Sequence, residues 1–86
     1  MIQILFTDQA GTQLAKLDKN ARLRIVASLD RLREAYPVAD LRKMQGYEDL
    51  WRLRVGDYRV VMHINLVTGI ITITVIRVGH RREVYR

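Results

Sequence analysis

An α+β domain, with a helical hairpin packed on one face of a mainly antiparallel sheet in the order β-α-α-β-β-β, is the fold this sequence predicts. Two observations carry it. Apolar residues recur every three or four positions through the first half of the chain and every second position through the later half. The chain has 86 residues, enough for one compact domain over 1–86 and too few for two. No repeat or low-complexity tract interrupts it.

The elements follow in order. Ile2, Ile4, Leu5 and Phe6 form a short β-like run, and Thr7 or Asp8 then offers a helix N-cap. Over 8–17, Ala10, Leu14 and Leu17 share a helical face. Asp18-Lys19-Asn20 breaks the pattern, and Leu23, Ile25, Val26, Leu29 and Leu32 carry a second helix to Tyr36, where Pro37 disfavours helix in the residue before it. Arg22, Arg24, Asp30, Arg31, Arg33 and Glu34 read as its solvated side, because mixed charges at three- and four-residue spacing are usual there. A loop is expected around 40–46. Trp51, Leu53 and Val55 then alternate with Arg52 and Arg54; Gly56-Asp57 marks a turn, 58–64 is a second strand of a hairpin, 65–69 a link, and 70–78, rich in Ile, Thr and Val, a last strand. Helices covering one sheet face leave the other partly open, and that open face is the candidate site.

Hydrophobic residues make up 49% and charged residues 28% of the chain, a globular balance that argues against disorder. No apolar run approaches the roughly 18 residues of a membrane span, and the apolar start is too short for a signal peptide, so a cytoplasmic protein with no membrane contact is expected. The absence of cysteine excludes disulfides, thiolate metal sites and a cysteine nucleophile. His63 and His80 stand on different segments without metal-ligand spacing, so neither a metal nor another cofactor is expected.

The net charge of +6 is unevenly placed. Residues 1–40 hold six basic and five acidic side chains; 41–86 hold nine and four. The field therefore belongs to the second half, and it suits a polyanion, either nucleic acid or an acidic protein. Twelve of the fifteen basic residues are arginine, whose planar fork matches phosphate. Arg52 and Arg54, alternate residues of one strand, project together about 7 Å apart, an unfavourable placement that an anionic ligand would compensate. Arg59, just past the turn, is close enough to join them, or to form a weak surface ion pair with Asp57 or Glu48. The stretch 77–86 adds Arg77, His80, Arg81, Arg82 and Tyr85; Val84 and Tyr85 suggest that it folds back and packs. Aromatic and basic groups together suit single-stranded RNA. On residues alone, the reading stops at nucleic-acid binding.

Arg42-Lys43-Met44-Gln45-Gly46 leading into Leu50-Trp51-Arg52-Leu53-Arg54-Val55-Gly56-Asp57-Tyr58-Arg59-Val60-Val61, with Val78-Gly79-His80-Arg81-Arg82-Glu83-Val84-Tyr85 at the end, resembles the RelE/ParE toxin superfamily, most closely its RelE branch. The resemblance runs through the whole chain in element order. It implies a toxin that enters the ribosomal A site and cleaves messenger RNA there, restrained by a cognate antitoxin that wraps it. It also implies catalytic roles for Arg52, Arg54, Arg59, Arg81 and Tyr85, with Arg42, Lys43, Arg77, His80 and Arg82 expected to contact RNA. Some RelE members carry lysines where this chain has Arg52 and Arg54; arginine effectively never loses its proton, so here those positions can only stabilise charge. The additional C-terminal helix of longer members is not expected.

The expected reaction is attack of an RNA 2′-hydroxyl on the adjacent phosphate, without metal. Tyr85 is the conspicuous base; tyrosine is almost wholly protonated at neutral pH, and surrounding arginines would lower its pKa. His80 is an alternative acid or base. Two other functions share these features: a ParE-like inhibitor of DNA gyrase, and a non-catalytic basic module that binds nucleic acid or an acidic antitoxin. Pure phosphate binding would weaken log-linearly with salt and be indifferent to Tyr85→Phe.

Overall fold

The computed structural model describes residues 2–36, 40–47 and 49–84. Strand β1 (Ile2–Phe6) leads into helices α1 (Asp8–Lys16) and α2 (Lys19–Ala35), followed by β2 (Leu41–Lys43), β3 (Leu50–Val55), β4 (Tyr58–Val67) and β5 (Ile70–His80). The five strands form one sheet in the order β1-β5-β4-β3-β2. β1 runs parallel to β5 and every other neighbour is antiparallel.

Local chemistry accounts for the helix ends. Thr7 Oγ1 accepts from the Ala10 N–H at 3.1 Å and Asp18 Oδ1 from the Ala21 N–H at 3.3 Å, each satisfying a first-turn donor that the helix cannot. Tyr36 takes an extended ψ of 137°, the conformation a residue before proline favours. α2 buries a narrower stripe than its periodicity predicts. Ala21, Ile25, Ser28, Leu29 and Leu32 are buried, whereas Leu23 and Val26 stand exposed, because a helix lying on a sheet covers a single side of its circumference.

That stripe meets Leu41, Leu53, Val55, Val60, Met62, Ile73, Val75 and Val78 to form the core. Each such side chain contributes about 1.5–3 kcal/mol through burial. α1 lies against β5 beyond the end of β1, where β5 would otherwise present unpaired backbone groups. There Gln13 Oε1 accepts from the Val78 N–H at 2.8 Å, closing the sheet edge with a side chain.

Two features depart from the sequence reading. β2 occupies part of the expected loop: Leu41 pairs with Leu53, and its buried side chain draws a three-residue strand onto the edge of the sheet. The hairpin after β4 is also longer and tighter than expected. Val67 pairs with Ile70 around a two-residue turn at Thr68 and Gly69, both with positive φ (53° and 77°), as a type I′ turn requires.

A bulge between Val61 and Met62 sets the end of β5. Met62 pairs with Val75 but Val61 with Arg77, so Ile76 is the extra residue. Strict alternation from Ile73 and Val75 would aim Arg77 into the core. The bulge shifts the parity by one, burying Val78 and sending Arg77 to the outer face.

Gln13→Leu is expected to lower stability by about 1–3 kcal/mol in urea titration, through loss of the Val78 acceptor. Thr68→Asn, which relieves a β-branched residue of a left-handed conformation, is expected to raise it by about 1 kcal/mol.

Candidate nucleic-acid interface

On β3 and β4 the face turned away from the helices is basic. Leu53, Val55, Val60 and Met62 are held in the core, so alternation turns Arg52, Arg54 and Arg59 outward. Register then sets guanidinium-bearing residues opposite one another: Arg52 faces Arg42 of β2, and Arg54 faces Arg59 of β4. Directly opposed residues lie about 4.5–5.5 Å apart at Cα. Like charges so placed are destabilising, by on the order of 0.5 kcal/mol per exposed pair. Two such pairs side by side serve the fold poorly and an anion well.

The turns complete the arrangement. Gly56, at φ 60°, begins the β3–β4 turn, and Arg59 Nη1 donates to the carbonyls of Gly56 and Tyr58, both at 2.8 Å, which holds its guanidinium over that turn. The Asp57 carbonyl accepts from the Arg81 N–H at 2.8 Å, tying the segment after β5 to the same place. Arg42, Arg52, Arg54, Arg59, Arg81 and Arg82 thereby line one cavity of ≈ 540 Å³, with Asp40 as the carboxylate among its described lining residues. The Asp40 carbonyl also accepts from the Arg54 N–H at 3.1 Å. Asp40 was not singled out from the sequence, and its place depends on the β2 pairing that local pattern does not reveal.

The remaining candidates stand elsewhere. Lys43 lies beyond Arg42, beside the turn at 44–47. Arg77 Nη1 donates to the Val84 carbonyl at 2.8 Å, bracing the C-terminal turn. His80 meets the Tyr58 ring edge-on at 5.8 Å between centroids, and its Nδ1 accepts from the Arg82 N–H at 3.2 Å. The His80 carbonyl accepts from the Glu83 and Val84 N–H groups, closing the turn, and Val84 is buried on the outer face, so the segment folds back through that residue. Tyr85, Glu48 and Pro37 lie outside the described residues. His63, the other histidine, pairs its Nδ1 with Asp49 Oδ2 at 3.2 Å on the same outer face.

Comparison with known proteins agrees with this architecture. Residues 4–85 match the model of the family described as the ParE toxin of type II toxin-antitoxin system, parDE. Toxin RelE3 of Methanocaldococcus jannaschii is 28% identical over 88 residues, spanning 98% of this chain and 96% of that one. A chain of the RelB-RelE antitoxin-toxin complex from Methanococcus jannaschii superposes with a TM-score of 0.74 at 27% identity, covering 94% of each chain. A chain of the archaeal RelE-RelB complex from Pyrococcus horikoshii OT3 does so at 0.74 and 28%, covering 95% of this chain and 97% of that chain.

Arg54→Thr removes one of the opposed arginine pairs. It is expected to stabilise the isolated protein by about 0.5 kcal/mol in urea titration, while weakening binding to a single-stranded polyanion and flattening its salt dependence by about one unit of slope.

Proposed function

This chain belongs to the ParE toxin family of type II toxin–antitoxin systems, and from its likeness to RelE toxins we propose that it is a RelE-like toxin that cleaves messenger RNA in the ribosomal A site. The observation supporting this reading is the arginine-lined cavity, with its opposed like charges and, among the described lining residues, one carboxylate. A site of this composition favours a substrate whose negative charge grows during reaction, and fixed cations aimed at such charge are usually the largest catalytic contribution.

In the proposed reaction the RNA 2′-hydroxyl attacks the adjacent phosphorus and gives its proton to the phenolate of Tyr85, the ionised form that neighbouring arginines favour and that is restored when the phenol returns its proton to solvent. The bond to the 5′-oxygen breaks, that oxygen takes a proton from solvent, and a 2′,3′-cyclic phosphate and a 5′-hydroxyl end remain. Arg52, Arg54 and Arg59 stabilise the pentacoordinate phosphorus, and Arg81 the charge developing on the leaving oxygen. Arg42, Lys43 and Arg82 hold flanking phosphates. Arg77 and His80 act through the turn that carries Arg81 and Arg82. The reaction is proposed as metal-free because metal-dependent phosphoryl chemistry draws on several converging carboxylates, and Asp40 is alone among the described lining residues.

Arginines cannot serve as bases, so the site relies on geometry for much of its rate. A ribosome that fixes the attacking hydroxyl in line supplies that geometry. A cognate antitoxin is part of the same reading: two of the similar structures are antitoxin–toxin complexes by their descriptions, and an acidic segment would neutralise the cavity.

RNA ends mapped after adding purified protein to ribosomes stalled on a defined message provide the test. Cuts confined to the A-site codon and insensitive to chelator are expected. Their rate should fall by about 10²-fold or more in Arg81→Ala and by about 10²–10⁴-fold in Tyr85→Phe. Absence of cuts by well-folded protein sinks the reading, and inhibition of DNA gyrase by the same preparation would replace it.

A further inference from the structure

Beside the arginine cavity, on the same outer face, a second groove of ≈ 470 Å³ takes no part in the proposed chemistry. Val61 and Val84, 6% and 3% exposed, lie outside the main core and both line this groove. Ile76, the extra residue of the β5 bulge, extends that surface. Met44 and Tyr47 come from the turn after β2, held by the bonds from the Met44 N–H to the Leu50 carbonyl and from the Tyr47 N–H to the Met44 carbonyl. Tyr47 is 56% exposed, a large ring left largely in water. Gln9, at the start of α1, adds an amide that can donate and accept.

Register joins the groove to the cavity. Val61 lies directly opposite Arg52, about 5 Å away at Cα, and Met44 is two residues past Arg42. An occupant that spans both therefore sets a mainly apolar group with a polar edge next to an anion, and a nucleotide in a single strand has that chemistry. Aromatic and aliphatic contact to the base, an amide to its edge and arginine to its phosphate are the contacts such strands use.

We propose that the groove formed by Tyr47, Met44, Ile76 and Gln9 is a nucleobase-binding subsite, holding the base of a nucleotide whose phosphate is bound by Arg52 and Arg42. It rests on the RNA reading above and extends it from phosphate binding to base recognition. The subsite selects unpaired RNA, because a base must leave its stack to enter, and Gln9 lets it distinguish bases by their edges.

The probe is a short single-stranded 2′-O-methyl oligoribonucleotide, which cannot undergo 2′-hydroxyl attack, compared with versions carrying one abasic residue at each position in turn. Binding to the full-length protein is read by fluorescence anisotropy. Base removal at one position is expected to weaken wild type about ten-fold, the same removal to cost Tyr47→Ala less than about two-fold, and Tyr47→Phe to behave as wild type. The salt slope should be unchanged in Tyr47→Ala, since its phosphate contacts remain. Equal affinity for intact and abasic probes at every position overturns the subsite, as does a Tyr47→Ala protein that loses only antitoxin binding; in either case ribosomal cleavage by wild type leaves the ribonuclease reading standing. A wild type that binds no probe, intact or abasic, also overturns the subsite, and absence of ribosomal cuts by the same preparation would remove the RNA reading with it.

Discussion

Leu53, Val55, Val60 and Met62 lock the middle strands onto α2, and the outer face of the sheet depends on that lock. Side chains on a strand alternate with a period of two, so fixing one face fixes the other. A slip of one residue in β3 would put Arg52 and Arg54 in the core and Leu53 and Val55 in water. Losing two or three such burials at about 1.5–3 kcal/mol each outweighs the fractions of a kilocalorie that the opposed arginines cost. The core can thus hold like charges together on the other side of the same strands, and the unfavourable arrangement persists in the free protein.

Length in the C-terminal segment is used in the same way. The bulge at Ile76 reverses the parity of β5, so that Val78 completes the core and Arg77 reaches the outer face to brace Val84. The bond from the Arg81 N–H to the Asp57 carbonyl then fixes the turn beside the β3–β4 hairpin. Arginines about twenty residues apart in the chain converge because a backbone bond joins two turns. Gln13 serves the other side of β5, taking the Val78 N–H that β1 is too short to pair.

The outer face consequently has two chemistries side by side, an arginine-lined cavity and an apolar groove flanked by a tyrosine and a glutamine. Phosphates alone would require only the first. Arginine in place of a titratable side chain on β3 favours charge stabilisation over proton transfer. On the ribonuclease reading proposed above, a toxin built this way is weak on free RNA and depends on a partner that orients the strand, and the same exposed charge gives an antitoxin a means of restraint.

Local pattern was sufficient for much of this. The change of hydrophobic period from helical to strand-like, the N-cap offered at Thr7 or Asp8, the break at Asp18-Lys19-Asn20, and the alternation around Arg52 and Arg54 are short-range signals, and they determined the fold class, both helices and the β3–β4 hairpin. Alternation and the turn signal also marked Arg52, Arg54 and Arg59, and the family resemblance added Arg81; all four line the cavity. Pairing across long separations left no such mark. β2 is three residues long and exists through its partner, so Asp40 and the Arg42–Arg52 opposition could not be read from the chain. A bulge leaves no signature in a run as uniformly β-forming as 70–78, so the facing of Ile76, Arg77 and Val78 was open until the β4–β5 register was known. Composition and period are properties of neighbours in sequence, and they determined what kinds of surface this protein has; which arginines oppose each other, and what lies beside them, is a property of register, which only the packed sheet decides.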